Sequence, residues 1–581
     1  MKAWIISKFS NSRWLLLDIL AIIVGISGGL IAVLFRKIVD LIHSFFFGPV
    51  FAILPGRDTI GEARLILLPI LGALVIGPVL IRLIPEARGD GIPEVIESIQ
   101  MKGGRIRKRL GILLMLTSTI TIGSGGSAGS DSPTAQIGAA FGSFTGQIMR
   151  LTVGDIQTLA LCGLVAGLAG TFNAPLGCAI FGMEVITRRF RLTDTVPVLL
   201  SSVIGAAVGT AILGEGHAID VTGLSIPLKE LWLCIVLGLA LGMVSFLWVR
   251  LFYGAESLFD RLPLRRELKP ALGGVVAGIG GMYFLDYGIM GVGYDGINRV
   301  VELIADSEAS SRPELLLLLI SLGIVKALAT ASSLGSGGSG GAIAPTLYVG
   351  TMFGGAVGII YSELIPSVGG HTATYALIGA GAFFAGVARA PLTCIVLIPE
   401  MAANYAMLPP MMFSCAMSYA VAHILLGGSS IYALRLEKKG VPLEIGEAVL
   451  DRVLVRDAMA RDVVSVSPDM TIKEVRDYVT QYNYRGFPVV DGGELVGIIA
   501  FDNIRKIPEE KQEEIRVGNV AVRNVICAYP DENMKQVMDR LYENNVGRLP
   551  VVERKMPKKL IGIVTRTDAI YAYENYMAKK S

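Results

Sequence analysis

A duplicated stretch rich in glycine and serine restricts what this chain can fold into more than any other feature. The stretch from Gly123 to Gly142 reads GSGGSAGSDSPTAQIGAAFG, and the stretch from Gly335 to Gly354, 212 positions later, reads GSGGSGGAIAPTLYVGTMFG. Eleven of the twenty aligned positions are identical. Each copy is a loop of small residues, then a proline that suits the first turn of a helix, then an apolar run.

Loops of this kind direct free backbone N–H groups and the positive end of a helix dipole towards whatever they enclose, which suits an anion. Small residues also allow membrane helices to pack closely, and a single copy would fit that simpler interpretation. Interrupted apolar segments at matching positions in two halves of a membrane chain indicate a transport site near the bilayer midplane. The duplication therefore favours an anion pathway to which both halves contribute.

The composition places these loops in a membrane protein. With 52% hydrophobic and 17% charged residues among 581, and a mean hydropathy of +0.59, the chain is too apolar for one soluble domain. The first apolar run covers Trp14 to Phe35 and follows Lys2, Lys8 and Arg13. It has about the 20 residues that a helix needs to cross a bilayer. We predict an α-helical, multi-pass protein of the cell membrane with both termini in the cytoplasm.

A second duplication defines two repeat halves. The segment Leu161 to Glu184 aligns with Leu377 to Glu400 at an offset of 216, and each contains the sequence Ala-Pro-Leu and ends in glutamate. We predict repeat halves at about residues 15–225 and 228–436, each with helices too short to span the bilayer. Glutamates at such matching places are expected to cap helices rather than to carry protons.

The charge distribution divides the chain near Gly446. Residues 1–445 contain 59 charged side chains, about 13%, whereas residues 446–581 contain 42, about 31%. We predict a membrane domain over 1–445 and a cytoplasmic domain over 446–581. The net charge of +3 gives no indication of a nucleic-acid partner. The four histidines and six cysteines are scattered, without metal-ligand spacing, and no catalytic motif is present, so we expect a transport protein rather than an enzyme.

Six ordered motifs carry a family resemblance. They are GDGIPEVIESI from Gly89, GSGGSAGSDSPTAQIG, FNAPLGCAIFGME, GSGGSGGAIAP, ARAPLTCIVLIPEM and the pair Ile431-Tyr432. In order and spacing they resemble the CLC family of chloride channels and proton-coupled chloride exchangers. The resemblance implies a homodimer with a separate pore in each subunit, two inverted repeats per subunit, and chloride held against helix N-termini within the membrane. No cofactor is required for that function.

The resemblance also implies the ion-binding and gating residues, which are Asp90, Gly91, Ile92, Asp131, Ser132, Ala342, Ile343 and Tyr432. Asp90 stands where the family usually has a serine whose hydroxyl coordinates the central anion. Asp131 stands where the family has the gating glutamate, and it is one methylene shorter. Tyr432 matches the tyrosine whose hydroxyl completes the central site. At Ile343, only the backbone N–H is implied to face the anion.

Val185 departs from the proton-coupled members of the family. By alignment it occupies the position of their second, intracellular proton glutamate, and channels of the family commonly have valine there. The departure predicts channel-like or weakly proton-coupled anion transport. Two alternatives stay open, namely a proton-coupled exchanger with a different inner relay and a variant that handles cations through Asp90 and Asp131.

Asp90 poses an electrostatic problem for an anion site. An ionised carboxylate about 4 Å from chloride repels it by about 4 kcal/mol at an effective dielectric of about 20. Three arrangements would resolve the conflict: Asp90 is protonated, it turns to the cytoplasmic side and pairs with Arg88, or the site prefers a cation or a proton. As a further alternative, Asp90 caps the helix that begins near Pro93. Elsewhere, Lys326 is expected to be a helix-end cation that snorkels.

The C-terminal region contains its own duplication. SPDMTIKEV from Ser467 matches YPDENMKQV from Tyr529 at an offset of 62, and each unit is predicted as helix, strand, strand, helix. The pattern resembles a pair of CBS domains, at about 453–507 and 516–575. The resemblance implies a possible adenine nucleotide site at Thr565 and Asp568; the alternative is a platform for dimerisation only.

Overall fold

The computed structural model describes residues 13–54, 63–83, 88–188, 190, 192–214, 226–306, 312–365, 371–438, 450–451, 453–482, 484–505, 507–569 and 571–572. The chain forms two compact units, Met1–Val441 and Pro442–Ser581. The sequence prediction placed the domain boundary near Gly446.

The first unit is built from apolar helices in two successive sets. The helices of the first half are α1 (Arg13–Phe45), α2 (Arg64–Arg82), α3 (Ile92–Met101), α4 (Lys108–Gly123), α5 (Asp131–Met149), α6 (Val153–Phe172), α7 (Pro175–Phe181) and α8 (Leu192–Leu213). Those of the second half are α9 (Leu231–Arg261), α10 (Lys269–Tyr283), α11 (Tyr294–Asp306), α12 (Arg312–Gly335), α13 (Ile343–Leu364), α14 (Thr372–Ala388), α15 (Pro391–Met401), α16 (Leu408–Leu425) and α17 (Ile431–Lys438). Within the described residues, eight helices are long and apolar enough to cross a membrane.

Equivalent helices of the two halves pack in the same way. Helix α5 lies along α6, and α13 lies along α14. A Cβ on Gly138 would overlap the carbonyl oxygen of Gly163, and a Cβ on Gly350 would lie 2.7 Å from the carbonyl oxygen of Gly379. Gly138 and Gly350 are 212 positions apart, and Gly163 and Gly379 are 216 apart, so the two contacts correspond. Glycine at these positions lets both helix pairs approach closely.

The Ala-Pro-Leu sequences mark a sharp break between two helices in each half. Helix α6 ends at Asn173 with φ 53°, and α14 ends at Arg389 with φ 57°. These left-handed residues stop each helix, and the proline two positions later begins α7 or α15. The result is a pair of short helices in equivalent positions.

The glutamates at the ends of the second duplication cap those short helices reciprocally. The Glu184 carboxylate accepts hydrogen bonds from the N–H groups of Leu392 (3.1 Å) and Thr393 (2.7 Å) at the start of α15. The Glu400 carboxylate accepts from Leu176 (3.0 Å) and from Gly177 (2.7 Å) at the start of α7. The expectation that these glutamates cap helices is confirmed. Each half therefore supplies the anion that stabilises the N-terminus of the other half's helix.

The second unit contains a four-stranded sheet with strand order β1-β2-β4-β3. Its strands are β1 (Gly486–Asp491), β2 (Glu494–Ala500), β3 (Arg548–Glu553) and β4 (Met556–Thr565), and its helices are α18 (Val455–Ala458), α19 (Ile472–Tyr482), α20 (Phe501–Ile504), α21 (Val517–Val520) and α22 (Met534–Glu543). Residues 566–569 are helical after β4. Both repeats thus follow the predicted order of helix, strand, strand, helix.

The two repeats of this unit are interleaved. Ala460, which precedes the first repeat's helix, pairs with Ile563 of the second hairpin, and Val522 pairs with Ile498 of the first hairpin. Each repeat therefore completes the other's sheet edge. Buried apolar side chains such as Val475, Phe487 and Ile499 form the core of the first repeat.

Candidate ion-binding site

Backbone hydrogen bonds join the small-residue loops of the two halves. Gly129 and Gly341 exchange two N–H to carbonyl bonds of 2.7 Å each. The N–H of Gly89 donates to the carbonyl of Gly338 at 2.6 Å, and the N–H of Gly340 donates back to Gly89 at 3.3 Å. Three loops that are distant in sequence, at the starts of α3, α5 and α13, therefore meet at one place.

Hydroxyl pairs behind the loops repeat the same symmetry. The Ser118 and Ser339 hydroxyls are 2.8 Å apart, and those of Ser127 and Thr330 are 2.9 Å apart. Ser118 corresponds to Thr330, and Ser127 to Ser339, at the offset of 212. Each pair is therefore the image of the other across the repeat. Both hydroxyls of each pair are buried, so the bonds satisfy polar groups that would otherwise destabilise the packing between the halves.

Asp131 is bound to the N-terminus of the opposite half's helix. Its carboxylate is buried and accepts hydrogen bonds from the N–H groups of Ile343 (3.1 Å, at Oδ2) and Ala344 (3.4 Å, at Oδ1). The Ser132 hydroxyl donates to Asp131 Oδ2 at 3.2 Å. The carboxylate thus occupies the donors and the positive dipole end of α13, which are the features that bind an anion.

Two glycines leave room for that carboxylate. A Cβ on Gly129 would overlap Asp131 Oδ1, and a Cβ on Gly341 would lie 2.6 Å from Asp131 Cγ. These are the same two glycines whose backbones are paired. Small residues in this loop therefore serve the approach of the acid and not only helix packing.

Asp90 lies just before α3, and only one of its two carboxylate oxygens has a hydrogen-bond partner among the described residues. The side chain is 3% exposed, and Oδ1 accepts a hydrogen bond from the N–H of Ile92 at 3.1 Å. Oδ2 is buried and has no hydrogen-bond partner among the described residues. This contact spans two residues, as in an Asx turn, and Asp90 precedes Gly91, which is the N-cap residue of α3.

Arg88 is not the partner of Asp90. Among the described residues, Arg88 Nε is buried without a hydrogen-bond partner and the Asp90 carboxylate accepts only from the N–H of Ile92, so the pairing that we considered from the sequence is wrong. The carboxylate of Asp90 instead bonds locally to the first N–H of its own helix, because that donor is two residues away and already in place.

Arg435 is a buried cation beside the loop that leads into α3, and the sequence analysis did not identify it. Its guanidinium donates to the backbone carbonyl of Arg88 at 2.5 Å and contacts the carboxylates of Glu94 (3.3 Å) and Glu256 (3.9 Å). Arg435 follows Tyr432 by one helical turn on α17, which is the only sequence signal that would have indicated it.

Tyr432 and the residues flanking the loops converge on the same region. Tyr432 is buried on α17, which packs against α3, and its ring meets the edge of Phe181 at a centroid distance of 6.3 Å. Ala342, Ile343 and Ile92 are buried beside the loops. The structure therefore brings together the predicted residues at positions 90–92, 131–132, 342–343 and 432.

Gln136 is a further polar group that sequence reasoning missed. It is 1% exposed, and its Oε1 has no hydrogen-bond partner among the described residues. A Cβ on Gly91 would overlap that oxygen, so the amide faces the loop that carries Asp90. A glutamine one turn after Ser132 in an apolar helix was the available signal.

Comparison with known proteins assigns the family. The family model for the voltage gated chloride channel matches residues 71–423, more than half of the chain, and the CBS domain model matches residues 455–510 and 517–575. The chain belongs to the CLC family. The resemblance drawn from the six motifs is confirmed, as is the C-terminal CBS pair.

Relatives cover both the CLC domain and the CBS pair. The chloride channel protein CLC-f of Arabidopsis thaliana is 25% identical over 97% of this chain and 80% of its own length. The H(+)/Cl(-) exchange transporter ClcA of Yersinia pseudotuberculosis is 30% identical over 78% of this chain and 90% of its own length. Among solved structures, a slow cyanobacterial Cl-/H+ antiporter matches with a TM-score of 0.65 and 26% identity over 74% of this chain and 99% of that one. A eukaryotic CLC transporter shares the fold over 95% of this chain and 97% of its own, with a TM-score of 0.64 at 20% identity.

Two further predicted residues of the CLC domain have defined places. Val185 is buried in the π-helical turn Gly182–Thr187 that follows α7, and its side chain cannot carry a proton.

Lys326 on α12 does not snorkel, and that expectation is wrong. It is 0% exposed, and its ammonium donates to the carbonyls of Gly288 (2.9 Å), Ile289 (3.1 Å) and Gly291 (3.0 Å). Three carbonyls satisfy its three donors, which permits burial without a carboxylate.

In the CBS pair, Thr565 and Asp568 bond to each other at the end of β4. Asp568 Oδ2 accepts hydrogen bonds from the N–H (2.7 Å) and the hydroxyl (2.8 Å) of Thr565. The two residues of the candidate nucleotide site are therefore adjacent and held in a fixed orientation.

Proposed function

We propose that this CLC chain transports chloride or a similar small inorganic anion, with Asp131 as the gate. The observation that carries the proposal is the position of the Asp131 carboxylate on the N–H groups of Ile343 and Ala344. An anion and this carboxylate require the same donors, so they compete for them. The names of the relatives, a chloride channel and an H(+)/Cl(-) exchange transporter, support the same substrate class.

The gate opens in this proposal when Asp131 takes up a proton. A charged acceptor strengthens each hydrogen bond at the start of α13, to about 1.5–3 kcal/mol, and a neutral carboxyl keeps only a part of that. The neutral side chain can then leave, and the two N–H groups become available to chloride. We therefore expect the anion flux to rise as the pH falls.

The donors at the site favour an anion over a cation. Ile343 and Ala344 present N–H groups at the positive end of a 22-residue helix, which repels cations. The guanidinium of Arg435, which bonds to the carbonyl of Arg88 two residues before Asp90, adds positive charge. A cation would have to use Asp90 and Asp131 after Asp131 had given up its bonds to α13.

The assembly and orientation of the protein form part of the proposal. We infer a homodimer with one pore per subunit, in a cell membrane, with both termini and the CBS pair in the cytoplasm. The CBS pair is proposed to bind an adenine nucleotide at Thr565 and Asp568, supported by their mutual hydrogen bonds at the end of β4.

Flux from liposomes tests the transport function. Purified protein is reconstituted with internal chloride, and chloride release is followed with an electrode while external sodium, potassium and nitrate are varied. We expect chloride release that requires the protein and that nitrate or chloride gradients drive. Sodium or potassium flux without chloride flux would contradict the proposal and favour the cation alternative.

A further inference from the structure

The hydroxyl of Tyr294 is a buried polar group that the ion-binding site described above does not use. Tyr294 is the first residue of α11, and its Oη is shielded from solvent and has no hydrogen-bond partner among the described residues. Asp295, the next residue, is instead exposed. Buried hydroxyls nearly always have a partner, and one that has none destabilises the protein. A phenol in this state is suited to donate to a ligand that carries an acceptor.

Neighbouring contacts place this hydroxyl close to the helix that carries the gate. The ring of Tyr294 meets the edge of Phe172 at a centroid distance of 6.5 Å. Thr171, the residue before Phe172, has its hydroxyl 3.2 Å from that of Thr134 on α5. The Thr134 hydroxyl also donates to the backbone carbonyl of Asp131 at 2.9 Å. Tyr294 therefore lies near the first turn of α5.

The loop between α10 and α11 has a fixed position relative to the gate. It packs on the loop that leads into α5, because a Cβ on Gly125 would overlap the Met290 side chain. On another side, the Tyr348 hydroxyl donates to the carbonyl of Tyr287 at 2.6 Å. Tyr348 belongs to α13, whose first N–H groups hold the gate. Both elements that form the gate thus hold the loop from which Tyr294 projects.

A buried cation lies against the same loop. The Lys326 ammonium donates to the carbonyls of Gly288, Ile289 and Gly291, and it lies 3.0 Å from a Cβ placed on Gly293, the residue before Tyr294. Among the described residues its hydrogen-bond partners are carbonyl oxygens, so no carboxylate there cancels its charge. A positive charge in an interior of low dielectric favours an anion nearby.

Tyr294 lies on the side of the gate away from the C-terminal end of α17. That end is joined to α9 by the ion pair of Lys438 and Glu256 at 3.2 Å, and α10 begins beside it, where Lys269 donates to the carbonyl of Asp260 at 3.1 Å. Helix α10 then runs for 15 residues, about 22 Å, before the loop that leads to α11. Because α17 leads towards the CBS pair, we call the side of Tyr294 the outer side.

We propose that the Tyr294 hydroxyl binds the transported anion on the outer side of the gate, at a position separate from the N–H groups of Ile343 and Ala344. The hydroxyl donates the hydrogen bond, and Lys326 supplies positive charge. This inference rests on the proposed function, because it adds a binding position to the same pathway. An anion at this position is held beside the gate until Asp131 leaves the donors of α13.

The chloride dependence of exchange tests the position. Tyr294→Phe removes the hydroxyl and keeps the ring. Exchange of radioactive chloride across liposomes, at a series of chloride concentrations equal on both sides, gives the half-saturating concentration for the parent and the variant. We expect this concentration to rise by about tenfold or more, because one hydrogen bond to an ion is lost. An unchanged half-saturating concentration overturns the inference.

Tyr361→Phe is the matched control. Tyr361 is also buried, but its hydroxyl donates within the protein, to the carbonyl of Leu233 at 3.0 Å. In thermal melts in gluconate, Tyr361→Phe should lower the Tm, whereas Tyr294→Phe should not, because it removes a hydroxyl that has no partner in the chain. The rise in Tm on changing gluconate for chloride should be smaller in Tyr294→Phe and unchanged in Tyr361→Phe. An equal loss of Tm in gluconate for both variants contradicts the inference.

The outcomes separate this inference from the proposed function. Absence of chloride exchange by the parent overturns the proposed function itself. Exchange by the parent with the same chloride dependence in Tyr294→Phe overturns only the outer position. Diffraction from crystals grown in bromide locates the anion directly, and an anomalous peak within hydrogen-bonding distance of the Tyr294 hydroxyl is expected. A peak at the donors of α13 alone contradicts the inference.

Discussion

Replacing Asp131 by asparagine should convert the gate into a weak competitor of the anion. Asparagine is close in size and keeps one oxygen acceptor, so the packing against Gly129 and Gly341 is preserved. It removes the negative charge that now accepts bonds from the N–H groups of Ile343 and Ala344. The variant therefore mimics the protonated acid at every pH.

The size of the effect follows from the two hydrogen bonds. A hydrogen bond to a charged group contributes about 1.5–3 kcal/mol, and one to a neutral group contributes about 0.5–1.5 kcal/mol. In the variant, each of the two bonds between the side chain and an N–H group is therefore weaker by about 1 to 1.5 kcal/mol, and chloride displaces the side chain more easily. The sum of about 2–3 kcal/mol corresponds to chloride binding that is about 30- to 150-fold tighter at neutral pH. The Ser132 hydroxyl, which also bonds to the carboxylate at 3.2 Å, adds in the same direction.

Titration calorimetry with chloride, on the parent and on Asp131→Asn at acidic and neutral pH, measures the prediction. The parent should bind chloride more weakly at neutral than at acidic pH, and the variant should bind it equally at both. Chloride flux should show the same loss of pH dependence. If the variant keeps the pH dependence of the parent, another group is the gate; if its chloride affinity is unchanged at neutral pH, Asp131 does not compete with the anion.

Three other predictions test the scaffold and the CBS pair. Gly341→Ala places a Cβ 2.6 Å from Asp131 Cγ, so it should destabilise the gate by about 1–3 kcal/mol, seen as a lower Tm and altered flux; an unchanged variant would refute the steric argument. Glu400→Ala leaves the buried N–H of Gly177 without its acceptor and should lower the free energy of unfolding by about 1–3 kcal/mol. Glu400→Gln keeps an acceptor and should have a smaller effect. Thermal melts in detergent compare the stability of the two variants with that of the parent, and equal Tm values for all three would contradict the capping role. Asp568→Ala should weaken the binding of ATP to the full-length protein, measured by calorimetry. If the parent protein does not bind ATP, the nucleotide site is refuted, and the alternative that the CBS pair serves only for dimerisation is favoured.

The repeats allowed us to predict which positions are equivalent in the two halves, but not which residues of one half contact which residues of the other. The offset of 212 relates Ser118 to Thr330, yet the structure pairs Ser118 with Ser339. An internal repeat identifies which residues play the same part in each half, whereas contacts between the halves depend on the axis that relates them. The same limit explains why Arg435 and Gln136 were not found, since Arg435 contacts Glu94 on another helix and Gln136 faces the loop of Gly91.

Lys326 shows a second limit of the sequence. A lysine taken to lie near the end of an apolar helix suggests a side chain that reaches for water, because hydropathy does not distinguish a lipid-facing helix from a buried one. Its partners are the carbonyls of a loop 35 to 38 residues earlier, whose backbone oxygens carry no signature in the side-chain sequence. Glu184 and Glu400 were predictable as caps because both donors and acceptors lie at repeated positions.

The reciprocal glutamate caps affect whether the two halves can be produced as separate chains, and whether one half can be exchanged for that of a homologous protein. If the two halves were produced as separate polypeptides, each would fold with the first turn of α7 or α15 lacking its acceptor until the other half arrived. Assembly would then be obligatory rather than optional. Any exchange of one half for a homologous half must also preserve the glutamate at its end, or the first turn of the short helix in the other half loses its acceptor.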